Sequence, residues 1–285
     1  MPETSDFAAA CAAAADLIAE ADALIISAGA GMGVDSGLPD FRGNTGFWQA
    51  YPALAAAKLD FTQVASPQTF AHDPALAWGF YGHRLRLYRR TVPHAGFALL
   101  RRWAARMPRG ARIFTSNVDG QFQIAGFDES QVHECHGSIH HLQCTEGCNA
   151  GIWSAAAFEP VVDDAACRLL SPLPRCLHCD ALARPNILMF GDWAWRPERS
   201  EAQQRAEAVW LQRLARERGR VVLVELGAGT AVPSVRHFGQ YVGHALNARL
   251  VRINPRESAV SHPHDVSIAS GALAALQQID VLLGA

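Results

Sequence analysis

The sequence predicts an α/β protein in which a doubly wound parallel sheet is interrupted by two insertions. Apolar runs of strand length occur at Ala23–Ser27, Arg112–Phe114, Val221–Leu226 and Leu250–Ile253. Helical patterns separate these runs, and such an alternation is typical of a parallel sheet with helices on both faces. The runs open into glycine-rich or polar turns, which places candidate binding loops at the carboxyl ends of the strands.

Composition narrows the class of protein. The chain has 285 residues, 49% of them hydrophobic, which is enough for a sizeable core in one large domain with insertions. A formal net charge of −2 gives no reason to expect a nucleic acid or an anionic membrane as partner. Asp16, Glu20 and Asp22 interrupt the first alanine-rich stretch, so we expect neither a signal peptide nor a membrane span. For the cytoplasmic protein that this favours, seven cysteines indicate metal binding or free thiols before disulfides.

The first strand leads into a glycine-rich turn. An alanine-rich helix is predicted over residues 5–21, packed beside the strand. The turn contains Gly29, Gly31, Gly33 and Gly37. Glycines allow backbone N–H groups to approach a pyrophosphate, and a following helix N-terminus adds partial positive charge. Val34 stands where a G-x-G-x-x-G motif has its third glycine, so an ordinary turn is an alternative. The segment PDFRG that follows adds an acid, an aromatic and an arginine, which favours a binding site.

Two later strands also end in candidate binding loops. Arg112–Phe114 is followed by polar residues at 115–119, at the strand end where open α/β sheets bind ligands. An Asx turn is the alternative there. Val221–Leu226 is almost continuously apolar, as in parallel strands buried on both faces, and it opens into Gly227–Gly229. We expect the three loops to converge on one ligand.

The first insertion, residues 44–95, loses the strand–helix alternation and carries scattered aromatic residues. We expect a mobile loop followed by helices over the ligand site. Tyr81 and Arg84 are three residues apart on a predicted helix, so their side chains share a face and could point into one pocket. From spacing alone, the favoured interpretation is an ordinary half-buried tyrosine beside a surface arginine.

The second insertion, residues 138–184, contains two close pairs of cysteines. Cys144 and Cys148 precede Cys176 and Cys179, and such pairs can supply four thiolates to a tetrahedral zinc ion. Four protein ligands leave no open position for chemistry, so the zinc would be structural. It would stabilise a segment that is too short to bury its own core. Two redox-inactive thiol pairs are the alternative.

The stretch GAGMGVDSGLPDFRG, from Gly29 to Gly43, resembles the signature of the sirtuins, the NAD-dependent protein-lysine deacylases. The likeness covers most of the chain: residues 115–119 are similar to the family motif T-Q-N-I-D, and residues 184–192 to R-P-x-V-V-x-F-G-E. No spacing argument selects one histidine among His133, His136, His140 and His141. The resemblance does, because the family's catalytic histidine precedes a glycine shortly before the first zinc cysteine, which is the position of His136.

The resemblance implies a catalytic group of His136, Asn117 and Asp119. His136 would act as general base on the ribose hydroxyls, so that the acyl group passes from lysine to ADP-ribose and nicotinamide is released. Asp119 would hold the nicotinamide carboxamide, and Asn117 would bind the ribose or an ordered water. Phe41 and Arg42 would screen the reactive centre from water.

The resemblance also implies a set of NAD-binding residues at the strand-end loops. They are Gly29, Ala30, Gly31, Asp40, Phe41, Arg42, Ser116, Asn117, Val118, Asp119, Gly227, Ala228, Gly229, Asn254 and Ala272. The chain departs from the family at Ser116, where a glutamine is usual, and at Ala228 and Gly229, where Thr and Ser are usual. Two alternatives therefore stay open. One is a mono-ADP-ribosyltransferase or NAD glycohydrolase on the same fold, and the other is a catalytically silent NAD- or ADP-ribose-binding module.

For the acyl-lysine substrate, the resemblance implies a pocket and a peptide-binding strand. The residues are Ala65, Tyr81, Arg84, Ile187, Leu188 and Phe190. Sirtuins that remove succinyl or malonyl groups carry a Tyr-x-x-Arg pair preceded by an alanine. A guanidinium can bind both oxygens of such an acyl group's carboxylate, and a small alanine leaves room for the longer chain. The peptide itself would add as a strand beside residues 187–190.

The expected organisation has three parts. Residues 1–43, 96–137 and 185–285 form a Rossmann-like NAD-binding domain, residues 44–95 a cofactor loop and helical insertion, and residues 138–184 a zinc-binding insertion.

Overall fold

The computed structural model describes residues 4–40, 43–149 and 151–284. The α-helices are α1 (Thr4–Ala19), α2 (Gly43–Ala50), α3 (Pro52–Ala56), α4 (Phe61–Val64), α5 (Pro67–His72), α6 (Pro74–Arg90), α7 (Ala95–Arg106), α8 (Gln121–Ile124), α9 (Glu198–Glu217), α10 (Ser234–Leu246) and α11 (Ala272–Leu282). The strands are β1 (Ala23–Ala28), β2 (Ala111–Thr115), β3 (Val132–Glu134), β4 (Gly137–Cys144), β5 (Ile152–Ser154), β6 (Val162–Asp163), β7 (Arg168–Leu169), β8 (Ala183–Ile187), β9 (Val221–Leu226), β10 (Arg249–Ile253) and β11 (Val266–Ile268). Short 3₁₀ helices lie at Ala30–Ser36 and Glu129–Gln131.

The main sheet has six parallel strands in the order β11-β10-β9-β1-β2-β3. The chain builds outward from β1 to β2 and β3, and later returns to the other side of β1 to add β9, β10 and β11. The strand order therefore reverses between β1 and β9. In open α/β sheets, ligands bind in the crevice outside the carboxyl ends of the strands at such a reversal.

Helices cover both faces of this sheet, as the alternation of side chains along β1 requires. Leu24 and Ile26 pack on one face with residues of α1, α7 and α11, including Trp103 of α7. Ile25 packs on the other face with residues of α9 and α10, including Trp210 of α9. This arrangement confirms the predicted α/β fold with a doubly wound parallel sheet.

A second apolar cluster lies outside the main sheet and joins the helices α2–α6 to the smaller sheets. It contains Phe80 and Trp78 of α6 together with Leu142 of β4, where β4 pairs with β5 and β8 in a three-stranded sheet. The indole nitrogen of Trp78 donates to the Ala183 carbonyl at 2.9 Å. The two predicted insertions thus share one core, and their boundaries stay predictions.

The sequence located the four central strands of the main sheet and missed its two edge strands. The helix predicted over 5–21 is observed as α1, and the strand predicted at Leu250–Ile253 is observed as β10. The edge strands β3 and β11 have three residues each and were not predicted. Among the described residues, no helix combines the length and the apolar character that crossing a bilayer would require.

Candidate active site

The first loop of the site is the turn that follows β1. The amide of Gly29 donates to the Leu226 carbonyl at 3.0 Å, so the turn begins against the end of β9. A 3₁₀ helix over Ala30–Ser36 takes the place of the helix predicted to follow the turn. A Cβ at Gly31 would lie 2.7 Å from the Cα of Gly227. Gly31 therefore allows the loops after β1 and β9 to touch backbone to backbone.

The second loop follows β9 and is fixed in the same way. Gly227 has a φ of +58°, and a Cβ there would lie 2.4 Å from the Gly31 backbone. The carbonyl of Ala228 accepts hydrogen bonds from Nη2 of Arg236 and Nδ2 of Asn254, each at 2.9 Å. These two hydrogen bonds fix the backbone of the loop at Ala228.

The third loop follows β2 and is tied to the first. The Thr115 hydroxyl donates to the Ala28 carbonyl at 2.9 Å, and Nδ2 of Asn117 donates to the Gly29 carbonyl at 3.1 Å. The Asp119 carboxylate accepts from the Gln121 amide at 2.9 Å. The loops after β1, β2 and β9 thus meet at one edge of the sheet, as the sequence predicts.

A cavity of about 690 Å³ lies where these loops meet. Most of the predicted site residues line it: Gly29, Ala30, Asp40, Ala65, Tyr81, Arg84, Ser116, Asn117, Val118, Asp119, His136, Ile187, Leu188, Phe190, Gly227, Ala228 and Gly229. Gly31, Asn254 and Ala272 are not among the described residues that form its wall. Phe41 and Arg42 lie outside the described residues.

His136 is the histidine of its cluster that reaches the cavity wall. Its Nε2 lies 3.0 Å from the hydroxyl of Ser234, the first residue of α10. Burial lowers the pKa of His136, and a hydrogen bond to the Ser116 backbone opposes this shift. The imidazole is therefore neutral near pH 7, which suits a general base. His133 instead pairs with Glu207 at 2.8 Å.

Asp119 is a buried carboxyl group in the same cavity. Burial raises its pKa to about 6, and the nearby charge of Glu134 acts in the same direction. The Gln121 amide and the charge of Arg84 act against the shift. The ionised form is therefore costly in this environment, and groups with such shifts are enriched at functional sites.

One end of the cavity is formed by the face of α6 that carries Tyr81 and Arg84. Both side chains are buried, with exposed fractions of 1% and 8%. The guanidinium carbon of Arg84 lies 5.2 Å from the ring centre of Phe80 and 5.8 Å from that of Tyr81. Ala65, at the end of α4, lines the same cavity. Spacing alone favoured a surface arginine at this position, and that interpretation was wrong. Arg84 is buried and lines the cavity.

The segment after β8 forms the rim of the cavity. The amide of Leu188 donates to the His136 carbonyl at 2.9 Å, and the amide of Phe190 donates to the Ala65 carbonyl at 3.0 Å. Arg184 and Asp192 form a buried ion pair at 2.7 Å that holds this segment from behind. The Leu188 and Phe190 side chains are partly exposed, as a binding surface requires.

The four predicted zinc cysteines lie together. The sulfur atoms of Cys144, Cys148, Cys176 and Cys179 are all within 4.8 Å of one another, and two pairs are separated by 3.6 and 3.4 Å. A tetrahedral zinc with Zn–S bonds of about 2.3 Å has sulfur–sulfur edges of about 3.8 Å. The backbone amide of Glu146 donates to Sγ of Cys144 at 3.3 Å. The cluster fits one structural zinc ion and lies outside the cavity wall.

Several residues that touch the site were not predicted from the sequence, among them Tyr88, Ser234 and Glu257. Tyr88 and Glu257 line the cavity, and Ser234 contacts His136. The spacing of Tyr88, four residues after Arg84 on one helix, is the signal that could have found it. No local motif identifies the other two, because their partners are distant in sequence.

Comparisons with known proteins agree with this geometry. A model of the Sir2 family matches residues 29–209, more than half of the chain. An NAD-dependent protein deacylase of Thermococcus kodakarensis is 30% identical over 258 residues, covering 90% of this chain and 88% of the relative. NAD-dependent protein deacylase 2 of Pyrobaculum aerophilum is 31% identical over 259 residues, covering 89% and 88%. The chain therefore belongs to the Sir2 family.

A solved structure and a further relative also match the chain. The solved structure of a Sir2 homologue in complex with NAD matches with a TM-score of 0.71 and 25% identity, over 95% of this chain and 93% of that chain. The mitochondrial NAD-dependent protein deacylase sirtuin-5 of Canis lupus familiaris is 31% identical over 191 residues, covering 62% of this chain and 58% of the relative.

Proposed function

We propose that the protein is an NAD-dependent protein-lysine deacylase that transfers an acyl group from lysine to ADP-ribose and releases nicotinamide. The observation that carries this proposal is the convergence of three strand-end loops and His136 on one cavity. The relatives named as NAD-dependent deacylases support it over nearly the whole chain. The substrate would be an acyl-lysine protein or peptide, and we propose the cytoplasm as its compartment.

The loops after β1 and β9 suit a dinucleotide. Their backbones touch at Gly31 and Gly227. The loop residues that line the cavity beside this contact are small: Gly29, Ala30, Gly227, Ala228 and Gly229. Its volume of about 690 Å³ lies in the range of ligand cavities, roughly 300–1,000 Å³. Bound NAD would supply ADP-ribose as the acyl acceptor and nicotinamide as the leaving group. Asp119 and Asn117 would orient the nicotinamide side of the dinucleotide.

His136 would act as the base. Its neutral Nε2 is directed at a hydroxyl already, that of Ser234 at 3.0 Å. A ribose hydroxyl that takes this place would give its proton to Nε2. The hydrogen bond with the Ser116 backbone would then stabilise the imidazolium that forms.

For the acyl group, we propose a preference for succinyl- or malonyl-lysine over acetyl-lysine. Arg84 offers a buried cation that a terminal carboxylate can bind, and Tyr81 lies beside it. The likeness to sirtuin-5 supports this finer assignment. The exposed Phe190 and Leu188 would pack against the peptide that carries the modified lysine.

The test is product analysis. The protein is incubated with NAD and acetyl-, malonyl- or succinyl-lysine peptides, and deacylated peptide, nicotinamide and O-acyl-ADP-ribose are measured by mass spectrometry. His136→Ala should lower kcat by about 10²–10⁴, the usual contribution of a general base. His237→Ala, an exposed histidine on α10, is the control and should leave kcat unchanged.

Each other outcome contradicts the proposal in a recognisable way. Loss of NAD without deacylated peptide would indicate a mono-ADP-ribosyltransferase or NAD glycohydrolase. Binding of NAD without turnover on any peptide would indicate a silent binding module.

A further inference from the structure

Tyr88 lies one helical turn beyond Arg84 on α6 and holds its guanidinium directly. Nε and Nη2 of Arg84 both donate to the Tyr88 hydroxyl, at 2.9 and 2.7 Å. The guanidinium carbon also lies 5.3 Å from the centre of the Tyr88 ring. Both N–H groups on one edge of the guanidinium therefore donate to the same oxygen atom. This fixes the rotation of the guanidinium plane.

The neighbours of Tyr88 leave it little freedom. Its side chain is 4% exposed, and its backbone carbonyl accepts from Nε2 of Gln121 at 3.3 Å. Arg84 is in turn held near the rings of Phe80 and Tyr81, which are four and three residues earlier on the same helix face. Fixing a long side chain in advance removes an entropic cost from ligand binding.

The chemistry of the phenol matters as much as its position. Burial raises the pKa of Tyr88, so the hydroxyl stays protonated and neutral. The two hydrogen bonds therefore orient Arg84 without neutralising its positive charge. A carboxylate in the place of the phenol would have formed an internal ion pair and weakened the attraction for an acidic ligand.

We propose that Tyr88 is a positioning residue that holds Arg84 in the orientation needed to bind the terminal carboxylate of an acyl group. This inference rests on the proposed function and extends it, since it assigns acyl selectivity to a pair of residues and not to the arginine alone. Tyr88 would act only through Arg84 and would have no direct role at the reacting atoms.

The experiment compares acyl selectivity, defined as the ratio of kcat/KM for a succinyl-lysine peptide to that for the matching acetyl-lysine peptide. Tyr88→Phe removes only the hydroxyl. We expect the selectivity to fall about threefold to twentyfold, mainly through a higher KM for the succinyl peptide, as for the loss of hydrogen bonds to a charged group. Tyr51→Phe is the matched control, because it also removes a buried phenol from the same apolar cluster. It should leave the selectivity unchanged.

A double-mutant cycle shows whether Tyr88 acts through Arg84. In an Arg84→Met background, Tyr88→Phe should have no further effect on selectivity. An equal fall in both backgrounds would mean that the hydroxyl binds the acyl group itself, and would overturn the inference. Unchanged selectivity in the Tyr88→Phe single variant, with its melting temperature retained, would also overturn it. Failure of the unsubstituted protein to deacylate either peptide would instead contradict the proposed function.

Discussion

The cavity wall proposed to bind the nucleotide (the nucleotide end) and the wall proposed to bind the acyl group (the acyl end) are built in different ways. At the nucleotide end, the backbones of the loops after β1 and β9 touch, and Gly31 and Gly227 have no room for a Cβ atom. At the acyl end, side chains of the single helix α6 form the wall. Arg84 is hydrogen-bonded to Tyr88 and lies near the ring of Phe80. The first end is defined by backbone and the second by side chains.

The difference indicates which properties can change without loss of the fold. Adding one carbon atom to the backbone contact would displace two loops at once. Exchanging a side chain at the acyl end would leave α6 and the main sheet in place, because α6 packs through many other buried residues, including Trp78 and Leu85. Cofactor binding and acyl selectivity should therefore respond to mutation separately.

The largest expected effect is at the backbone contact. Gly227→Ala would place a Cβ 2.4 Å from Gly31 in a residue with a φ of +58°. We expect at least a hundredfold loss of NAD affinity, and a stability loss of about 2–4 kcal/mol from strain and steric overlap. Isothermal titration with NAD and thermal denaturation measure the two effects.

The control for Gly227 is Gly110→Ala. Gly110 also has a positive φ, of +81°, but its added Cβ would meet only a Trp210 atom at 3.9 Å. Gly110→Ala therefore measures the energetic cost of a positive φ at alanine, without the cost of steric overlap. If the two variants lost NAD affinity equally, close contact between the loops would not be what shapes the nucleotide end.

The second-largest expected effect is that of Arg84→Met, which should change acyl selectivity and leave NAD binding largely intact. Arg84→Met keeps an unbranched, flexible side chain but removes the cation. We expect the kcat/KM for succinyl-lysine peptides to fall about 10–100-fold more than that for acetyl-lysine peptides. NAD affinity should change far less than in Gly227→Ala. Steady-state kinetics on both peptides measures this, and equal losses on the two would contradict an acidic acyl pocket.

The difference between the two ends also explains which parts of the fold and of the site could be predicted from the sequence. The nucleotide end follows from the sequence because buried parallel strands are continuous apolar runs, and Val221–Leu226 is one of them. β3 could not be found that way, since two of the three residues in Val132–Glu134 are polar. His133 is buried there and pairs with Glu207, which is distant in sequence.

At the acyl end, the sequence indicated the pair Tyr81 and Arg84 but not their environment. Spacing places both on one face of a helix, and it does not show whether that face meets solvent or a cavity. Tyr88 was missed although its spacing from Arg84 places the two on one helix face. α6 carries several other buried aromatic residues, and the same spacing is equally typical of core packing. The contacts of Ser234 and Glu257 depend on how α10 and the loop after β10 return to the sheet.

The smaller of the two expected changes in stability concerns Asp119, which lies on the loop after β2 and interacts electrostatically with Arg84. Its pKa rises from 3.8 to about 6, mainly through burial. The folded protein therefore binds this proton more tightly than the unfolded chain, and the free energy of unfolding falls as the pH rises from about 4 to about 6. The shift corresponds to about 3 kcal/mol, as an upper bound. Asp119→Asn removes the charge and keeps an oxygen for the Gln121 amide.

We accordingly expect Asp119→Asn to be more stable than the unsubstituted protein by about 1–3 kcal/mol above pH 6, while losing deacylase activity. Urea denaturation at about pH 4.5, 6 and 8 measures the difference, which should shrink toward acid pH because the native carboxyl group is then neutral. A difference that grew toward acid pH would mean that Asp119 is stabilised as a carboxylate. The surrounding groups would then compensate the buried charge of Asp119. The inference that its ionisation is costly would be wrong.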